Sequence, residues 1–573
     1  MTDQAIDKTG SQEREFLGHP IGLTICFLTE MWERFSYYGM RTLLTVFLVQ
    51  HFLFSSKQAG LIYGAYTGLV YLLPVLGGWF ADRYLGSRKA VTYGALLLVL
   101  GHFSLAFEGP QSDRYLTVGG QEYQVNFVRK DSQQYEYIKM ADQDYQVKTL
   151  TNDKQENIGI TLQSENETKN YLSGSYDFRV VQHEEFLSIF YLSLALIITG
   201  VGFLKANIST IVGALYGPND PRRDGGFTIF YMGINLGSVL ATWLCGWLGL
   251  AYGWSYGFGL AGIGMLAGLA VFWKYQHLLE GRADPPSEEE LKKPVLGPIN
   301  IEWSIYLVGI ALVGVSWLLI QNQELVGQML TSGNILILLV VLAYGFMKCT
   351  KEERERLIVA CMLIIISILF WALFEQQGTS LTLLADQQFD RDLGLFTING
   401  PQVQLMNPLF IVLFAPVLAA LWVKLSKRGW EPSTPAKFGI SLILMGLAYY
   451  GFTFGLMTEG TQKSFFWMAY IYLFMTLAEL CISPVGLSMI TKLSVKRIVG
   501  MMMGFWFLAT ALANYVAGVI ASLTGGAGHN AGSAVDVANT IDVFTQVGLI
   551  CMGVGVVIVL ISTLMKRWMH GVH

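Results

Sequence analysis

The sequence predicts an all-α polytopic membrane protein. It should fold as two six-helix bundles with an extra inter-bundle helix pair and a small β-rich extracytoplasmic insertion. Three observations predict this. Of 573 residues 53% are hydrophobic and 14% charged, with 61 glycines, a composition of membrane bundles rather than soluble domains. Apolar runs of membrane-crossing length, about 20 residues at roughly 1.5 Å each, recur through both halves. The ionisable residues inside those runs are few and regularly placed. Net charge is -4 and the aromatics sit in apolar runs, so nothing marks a nucleic-acid partner.

Residues 1–19 are polar and mixed in charge, without the apolar core or small-residue cleavage site of a removable signal. They read as a cytoplasmic tail. Spans are expected near 21–54, 57–80, 90–108, 186–213, 226–250 and 254–275, making an N-terminal bundle of 20–108 and 186–275. A polar linker and two further runs, near 303–320 and 334–348, fill 276–356. Spans near 357–380, 405–424, 436–456, 465–490, 499–523 and 543–565 form a C-terminal bundle within 357–573. An even number of added crossings leaves both bundles in one orientation.

Residues 109–185 break the pattern. Short alternating runs, Tyr115-Leu-Thr-Val, Tyr123-Gln-Val-Asn-Phe, Tyr145-Gln-Val-Lys and Ile158-Gly-Ile-Thr-Leu, read as strands, with Gly119-Gly120 as a hairpin turn. A passive insertion is the default reading, and a lid or partner-binding module the alternative. Orientation follows from basic short loops: Arg83, Arg88 and Lys89; Lys424, Lys427 and Arg428; Lys492, Lys496 and Arg497; Lys566 and Arg567. Positive-inside then places both termini in the cytoplasm.

The first span holds a charged cluster. Glu30, Glu33, Arg34, Tyr37 and Tyr38 stand at offsets 0, 3, 4, 7 and 8, which is one helical face. Each mid-membrane charge costs about 2.5–3.5 kcal/mol on insertion scales, so the cluster is either an ion-pair staple or a substrate and proton site. Lys205, Glu375 and Glu479 are the other ionisable residues deep in apolar sequence, in spans 4, 7 and 10 of the twelve. With span 1 these are every third helix, the set that lines the central cavity of transporters built from nested repeats. Lys205 and Glu375, opposite in sign and from different halves, are expected to pair. His102 reads as packing. Asn235, Asn407 and Asn514 are amides that must find partners within the membrane.

The six cysteines show no paired or CxxC spacing, and no HExxH, GxSxG, Walker or dinucleotide pattern occurs. No enzyme, metal site or cofactor is expected.

Taken together the motifs resemble the proton-dependent oligopeptide transporter family of the major facilitator superfamily. The residues that carry the likeness are Glu30-x-x-Glu33-Arg34-Phe35-x-Tyr37-Tyr38-Gly39, Gly77-Gly78-Trp-Phe-Ala-Asp82-Arg83-Tyr-Leu-Gly86 and Phe227-Thr-Ile-Phe-Tyr231-Met-Gly-Ile-Asn235-Leu-Gly237. Asn407-Pro408, Glu479 to Pro484, and Gly504-Phe-Trp506 with Asn514 complete it. The resemblance implies a bacterial symporter of di- and tripeptides working by alternating access, with protons as coupling ion. It implies that Arg34 and Lys205 hold the peptide carboxylate and Glu479 its ammonium, and that Asn235 and Asn407 bond the peptide backbone. Tyr37, Tyr38, Tyr71, Tyr231 and Trp506 would line side-chain pockets, with Ser483 near Glu479 and Asn514 in the same substrate set. Glu30, Glu33 and Glu375, with Arg34 and Lys205, would handle protons. Two departures stand out: the β-rich insertion, and the missing proline in Thr491-Lys-Leu-Ser-Val495-Lys496-Arg497. A lipid bilayer, the bacterial inner membrane and a functional monomer complete the expectations. The rivals are a proton-coupled carrier of another small solute and a transporter-fold receptor that binds peptide without transport.

Overall fold

The computed structural model describes residues 15–572 apart from 17, 131–132, 153–156, 218–219, 221, 395–396, 461, 484–485 and 526–534. Most of the expected 1–19 tail lies outside the described residues. Its end forms a two-residue ladder, β1 (Glu15–Phe16) on β2 (His19–Pro20).

α1 (Gly22–Gln50) crosses the molecule whole. Ser55 then starts α2 (Ser56–Leu72), its hydroxyl accepting from Gln58 N at 3.2 Å. Pro74 lacks an N–H and divides the second span, so α3 (Pro74–Phe80) follows α2. After a π turn at Ala81–Leu85, Gly86 takes φ 71° and α4 (Gly86–Leu105) returns.

Between α4 and α5 (Glu184–Ala214) stands a seven-stranded antiparallel sheet in the order β8-β7-β6-β5-β4-β3-β9. Its strands are β3 (Asp113–Val118), β4 (Gln121–Lys130), β5 (Gln133–Met140), β6 (Gln143–Thr151), β7 (Asn157–Gln163), β8 (Thr168–Leu172) and β9 (Tyr176–Val181). Gly119 and Gly120, at φ 59° and 81°, make the expected hairpin turn. β8 and β9 occupy opposite edges, about 29 Å apart if the sheet were flat. The chain joining Leu172 to Tyr176 spans at most about 15 Å, so the sheet curls into a barrel with an unladdered seam. Inside lie Leu116, Val125, Ile138, Ile160, Leu162 and Phe178, with the Arg114–Glu136 pair at 2.5 Å. Gln111 Nε2 donates to Gln50 O at 2.6 Å, Ser112 N to His51 O at 3.0 Å and Gln182 Nε2 to Phe52 O at 2.8 Å, which ties the barrel to the end of α1.

α6 (Arg223–Ala251) and α7 (Trp254–Tyr275) complete the first bundle. The linker carries α8 (Glu288–Leu291) and the short ladder β10 (Pro294–Leu296) on β11 (Ile299–Asn300), stapled to the first bundle by Arg88–Asp284 at 2.5 Å and Lys89–Glu302 at 2.8 Å. The extra pair is α9 (Ile301–Gln321) and α10 (Gln323–Lys348): α9 packs on α5, and α10 on α17 (Val499–Leu523), where Asn334 Nδ2 donates to Leu508 O at 3.0 Å.

In the second bundle α11 (Lys351–Phe374) gives way to a 3₁₀ turn, Glu375–Gly378, before α12 (Ser380–Gln388). A second 3₁₀ segment, Gly400–Leu405, leads into α13 (Met406–Lys427); α14 (Thr434–Leu456), α15 (Phe466–Ile482), α16 (Gly486–Leu493) and α18 (Val537–Trp568) follow in chain order, with α17 before α18. Among the described residues eleven helical stretches are long and apolar enough to cross a membrane. One of them, Ser56–Leu105, holds two spans, while Phe466–Ile482 is shorter. α1 falls outside that set because Glu30, Glu33, Arg34 and Arg41 lie in it.

The two bundles meet on the side that carries the barrel, here the sheet side. Gly60 and Gly64 of α2 touch the backbone of Gly518 in α17, an approach only glycines permit. Gln402 Nε2 donates to Trp243 O at 3.2 Å, and Gln50 Nε2 to Asp386 Oδ2 at 3.0 Å.

Candidate functional site

The cluster in α1 folds as its spacing requires. Arg34 Nε lies 2.9 Å from Glu30 Oε1 and 2.5 Å from Glu33 Oε2, and the three are 4%, 3% and 0% exposed respectively. Two carboxylates thus share one guanidinium. Arg34 Nη2 is buried without a hydrogen-bond partner among the described residues, as is Glu33 Oε1. A buried, unused donor on a planar fork is a receptor for an anion. Lys205 of α5 rests its Nζ 3.8 Å from the centre of the Tyr71 ring and feels the charges of Arg34, Glu33, Glu30 and Glu375. It brings the first-bundle cluster to neutrality.

Glu375 sits where α11 breaks, and the break is held open by side chains: Gln376 Nε2 donates to Ala517 O at 2.8 Å and Ser380 Oγ to Gln376 Oε1 at 2.9 Å. The expected Lys205–Glu375 ion pair is not formed. Glu375 Oε2 instead pairs with Nη2 of Arg41, one turn from the sheet side of the α1 cluster. A helix already crossing beside the break reaches that carboxylate, while Lys205 remains within its field alone. Arg41 escaped the sequence reading, although its signal was there: it is offset 11 from Glu30, the next step of the same helical stripe. Thr45 Oγ1 adds a contact to Gly378 O at 2.5 Å.

Across the site Glu479 of α15 is 9% exposed, and its Oε2 accepts from Asn407 Nδ2 at 2.9 Å; Asn407 also donates to Thr476 Oγ1 at 3.1 Å. No cation lies within ion-pair distance of Glu479 among the described residues. Among the described charges of the site, the α1 cluster with Lys205 and the Arg41–Glu375 pair are balanced, whereas Glu479 has no opposite charge within ion-pair distance. It acts on Tyr231 of α6 and is itself acted on by Glu375, so both bundles face one electrostatic field.

The remaining candidates divide. Tyr38, Tyr71, Asn235 and Trp506 are half-buried and Tyr231 is 55% exposed, open to a ligand. Asn235 Nδ2 donates to Tyr231 O at 3.0 Å. Tyr37 is 2% exposed and stacks edge-on against Tyr38, its centre 5.4 Å from Arg34 Cζ. Asn514, 2% exposed, donates to Thr510 O of its own helix at 3.0 Å. Ser483 is exposed just past Glu479, and Pro484 lies outside the described residues. His102 is fully buried with both ring nitrogens lacking a hydrogen-bond partner among the described residues.

Three comparisons bear on this geometry. The model of the POT family matches residues 88–534. The chain is 33% identical to an uncharacterized transporter, YclF, of Bacillus subtilis, covering 98% of this chain and 97% of the other. It is 31% identical to the peptide transporter YePEPT of Yersinia enterocolitica (97% and 96% covered) and 31% identical to a di-/tripeptide transporter of Lactococcus lactis (100% of both). Among solved structures it is similar to a mutant of a peptide transporter POT in complex with alafosfalin, at TM-score 0.72 and 31% identity over 98% of each chain. A POT family transporter in complex with 5-aminolevulinic acid matches at TM-score 0.70 and 27% identity over 96% and 98%.

Proposed function

The chain belongs to the POT family of membrane transporters, and on that premise we propose that it imports di- and tripeptides by proton-coupled symport and alternating access. The observation that carries this reading is the charge layout. Arg34 and Lys205 offer cationic groups in one bundle, and Glu479 stands uncompensated in the other. A short zwitterion is recognised by its two ends. The peptide carboxylate takes the free edge of Arg34 and the mobile ammonium of Lys205, while the peptide ammonium takes Glu479. Asn235 and Asn407 bond the amide backbone between them. Tyr37, Tyr38, Tyr71, Tyr231 and Trp506 supply walls that accept many side chains, with Ser483 and Asn514 at the margin.

Protons act at Glu30, Glu33 and Glu375, with Arg34 and Lys205 as their cationic counterparts. When Glu375 takes a proton it releases Arg41, and the sheet-side seam between the bundles loses its charged contact. A peptide carboxylate arriving at Arg34 and Lys205 competes with Glu30 and Glu33 in the same way. Both events together free the loaded carrier to reorient.

The sheet side is the outside. Lys348, Lys424, Lys427, Lys566 and Arg567 lie in last helical turns at the opposite side, which positive-inside assigns to the cytoplasm with both termini. The protein acts as a monomer in a bacterial inner membrane, with no cofactor beyond the proton.

Proteoliposomes given an inward proton gradient test the reading. Wild type concentrates labelled dialanine and Glu375→Gln does not. Accumulation by Glu375→Gln refutes the coupling role, and failure of wild type to accumulate refutes the symport.

A further inference from the structure

Arg41 has two ends, and only one is explained by Glu375. Its Nε donates to the hydroxyl of Tyr63 at 2.5 Å, and its Cζ lies 5.8 Å from the Tyr63 ring centre. Tyr63 belongs to α2 and is fully buried. Its hydroxyl also abuts Gly378, where any side chain would collide with it. The phenol is therefore wedged between an arginine of the first bundle and the helix break of the second.

This wedge fixes geometry. A guanidinium held at Nε by a rigid acceptor keeps Nη2 aimed in one direction, and that direction is Glu375 Oε2. Without the hydroxyl, Arg41 is free to turn toward the Tyr38 ring, whose centre is 5.8 Å away. We propose that Tyr63 is a positioning residue for proton coupling: it presents Arg41 to Glu375 and so sets the pH at which that pair opens. The proposal rests on the reading of Glu375 as a proton site.

The groups facing Glu375 allow the sign to be worked out. They are Arg41, Tyr37 and Tyr38 from α1, Tyr63 and Tyr71 from α2, Lys205 from α5 and Glu479 from α15. Of these, Arg41 alone is in ion-pair contact with it among the described residues. Loosening that contact weakens the link between the bundles that a proton must break, so the pair opens with less acid.

The test is the external pH of half-maximal dialanine uptake in proteoliposomes. Tyr63→Phe moves it upward by about one pH unit, tenfold in proton concentration, while KM at saturating acidity stays within about twofold. Gly378→Ala keeps the tyrosine but pushes its hydroxyl aside, so it produces the same upward move; the double variant shifts no further than either single one. Tyr66→Phe, on the same helix with a buried hydroxyl lacking a hydrogen-bond partner among the described residues, leaves the profile unchanged. If Tyr63→Phe is too unstable to assay, Gly378→Ala decides alone. The proposal is overturned if neither variant moves the half-maximal pH while Glu375→Gln abolishes accumulation. If Glu375→Gln accumulates peptide normally, the reading of Glu375 itself has failed.

Discussion

On the proposed reading substrate recognition turns on Glu479, because its only close polar partner among the described residues is the neutral amide of Asn407. Hydrogen bonds to charged groups contribute about 1.5–3 kcal/mol. Glu479→Gln should therefore raise the inhibition constant of dialanine by about tenfold or more, and leave that of N-acetyl-dialanine, which has no ammonium, nearly unchanged. Equal loss for both peptides would show that Glu479 supports the fold rather than the ligand. Residues of this kind were legible before any coordinates. Glu30, Glu33, Arg34, Lys205, Glu375 and Glu479 are costly in apolar sequence, and cost marks purpose. What could not be read was pairing. Lys205 and Glu375 satisfied the rule of opposite sign across the halves, but sign carries no distance, and Arg41 took the contact. Arg41 was missed because the first-span motif ends at Gly39, even though the helical stripe continues to offset 11. Asn514 shows the converse: an amide that had to find a partner found a carbonyl one turn back on its own helix.

Among the elements, the break at Glu375–Gly378 is where the proposed coupling acts, and the glycine contact brings α2 and α17 together. Any side chain at Gly518 would press on the backbone of Gly60 and Gly64. Gly518→Val should hold α2 and α17 apart on the sheet side, and a cysteine replacing the 5%-exposed Ser56, silent to a membrane-impermeant maleimide otherwise, should become reactive from outside. Unchanged reactivity would mean the seam tolerates the extra volume. The barrel yields a prediction of different sign. Burial pushes the Glu136 carboxyl above its ordinary range, with Arg114 acting against that shift. The native barrel then holds a proton that the unfolded strand releases, so this contribution is present below about pH 4.3 and fades as pH rises. Hydrogen exchange in the barrel should accelerate as pH rises above about 4.3, after correction for intrinsic rates, more in wild type than in Glu136→Gln; equal slopes would exclude it. The same glutamate explains why β5 was not read from sequence. Its inward position carries a carboxyl paired over β4 with Arg114 of β3, so the apolar alternation that revealed β3, β4, β6 and β7 is absent there. Pro74 and the Glu375–Gly378 turn likewise divided spans that hydropathy had joined.

For the whole molecule, the described contacts between the bundles gather on one face. Polar and backbone contacts join the bundles on the sheet side, at Gln50–Asp386, Gln402–Trp243 and Gly64–Gly518, while Ser483 and Tyr231 are exposed nearer the other face. A carrier can exceed equilibrium only if opening to the two sides is exclusive and the switch is tied to the proton. One proton moving through about 100 mV then supplies roughly 2.3 kcal/mol, enough for about a fiftyfold gradient of a neutral peptide. Exclusivity can be read with two cysteines placed singly in a background without the native six. Ser483→Cys should react with an impermeant maleimide in inverted vesicles while Ser56→Cys is protected in right-side-out ones. An inward proton gradient with dialanine should reverse both, protecting the first and exposing the second. In Glu375→Gln the two reactivities should lose their dependence on pH, because the group that joins the proton to the seam is gone. Simultaneous reactivity of both cysteines under any one condition would describe a channel, and a channel cannot build the gradient.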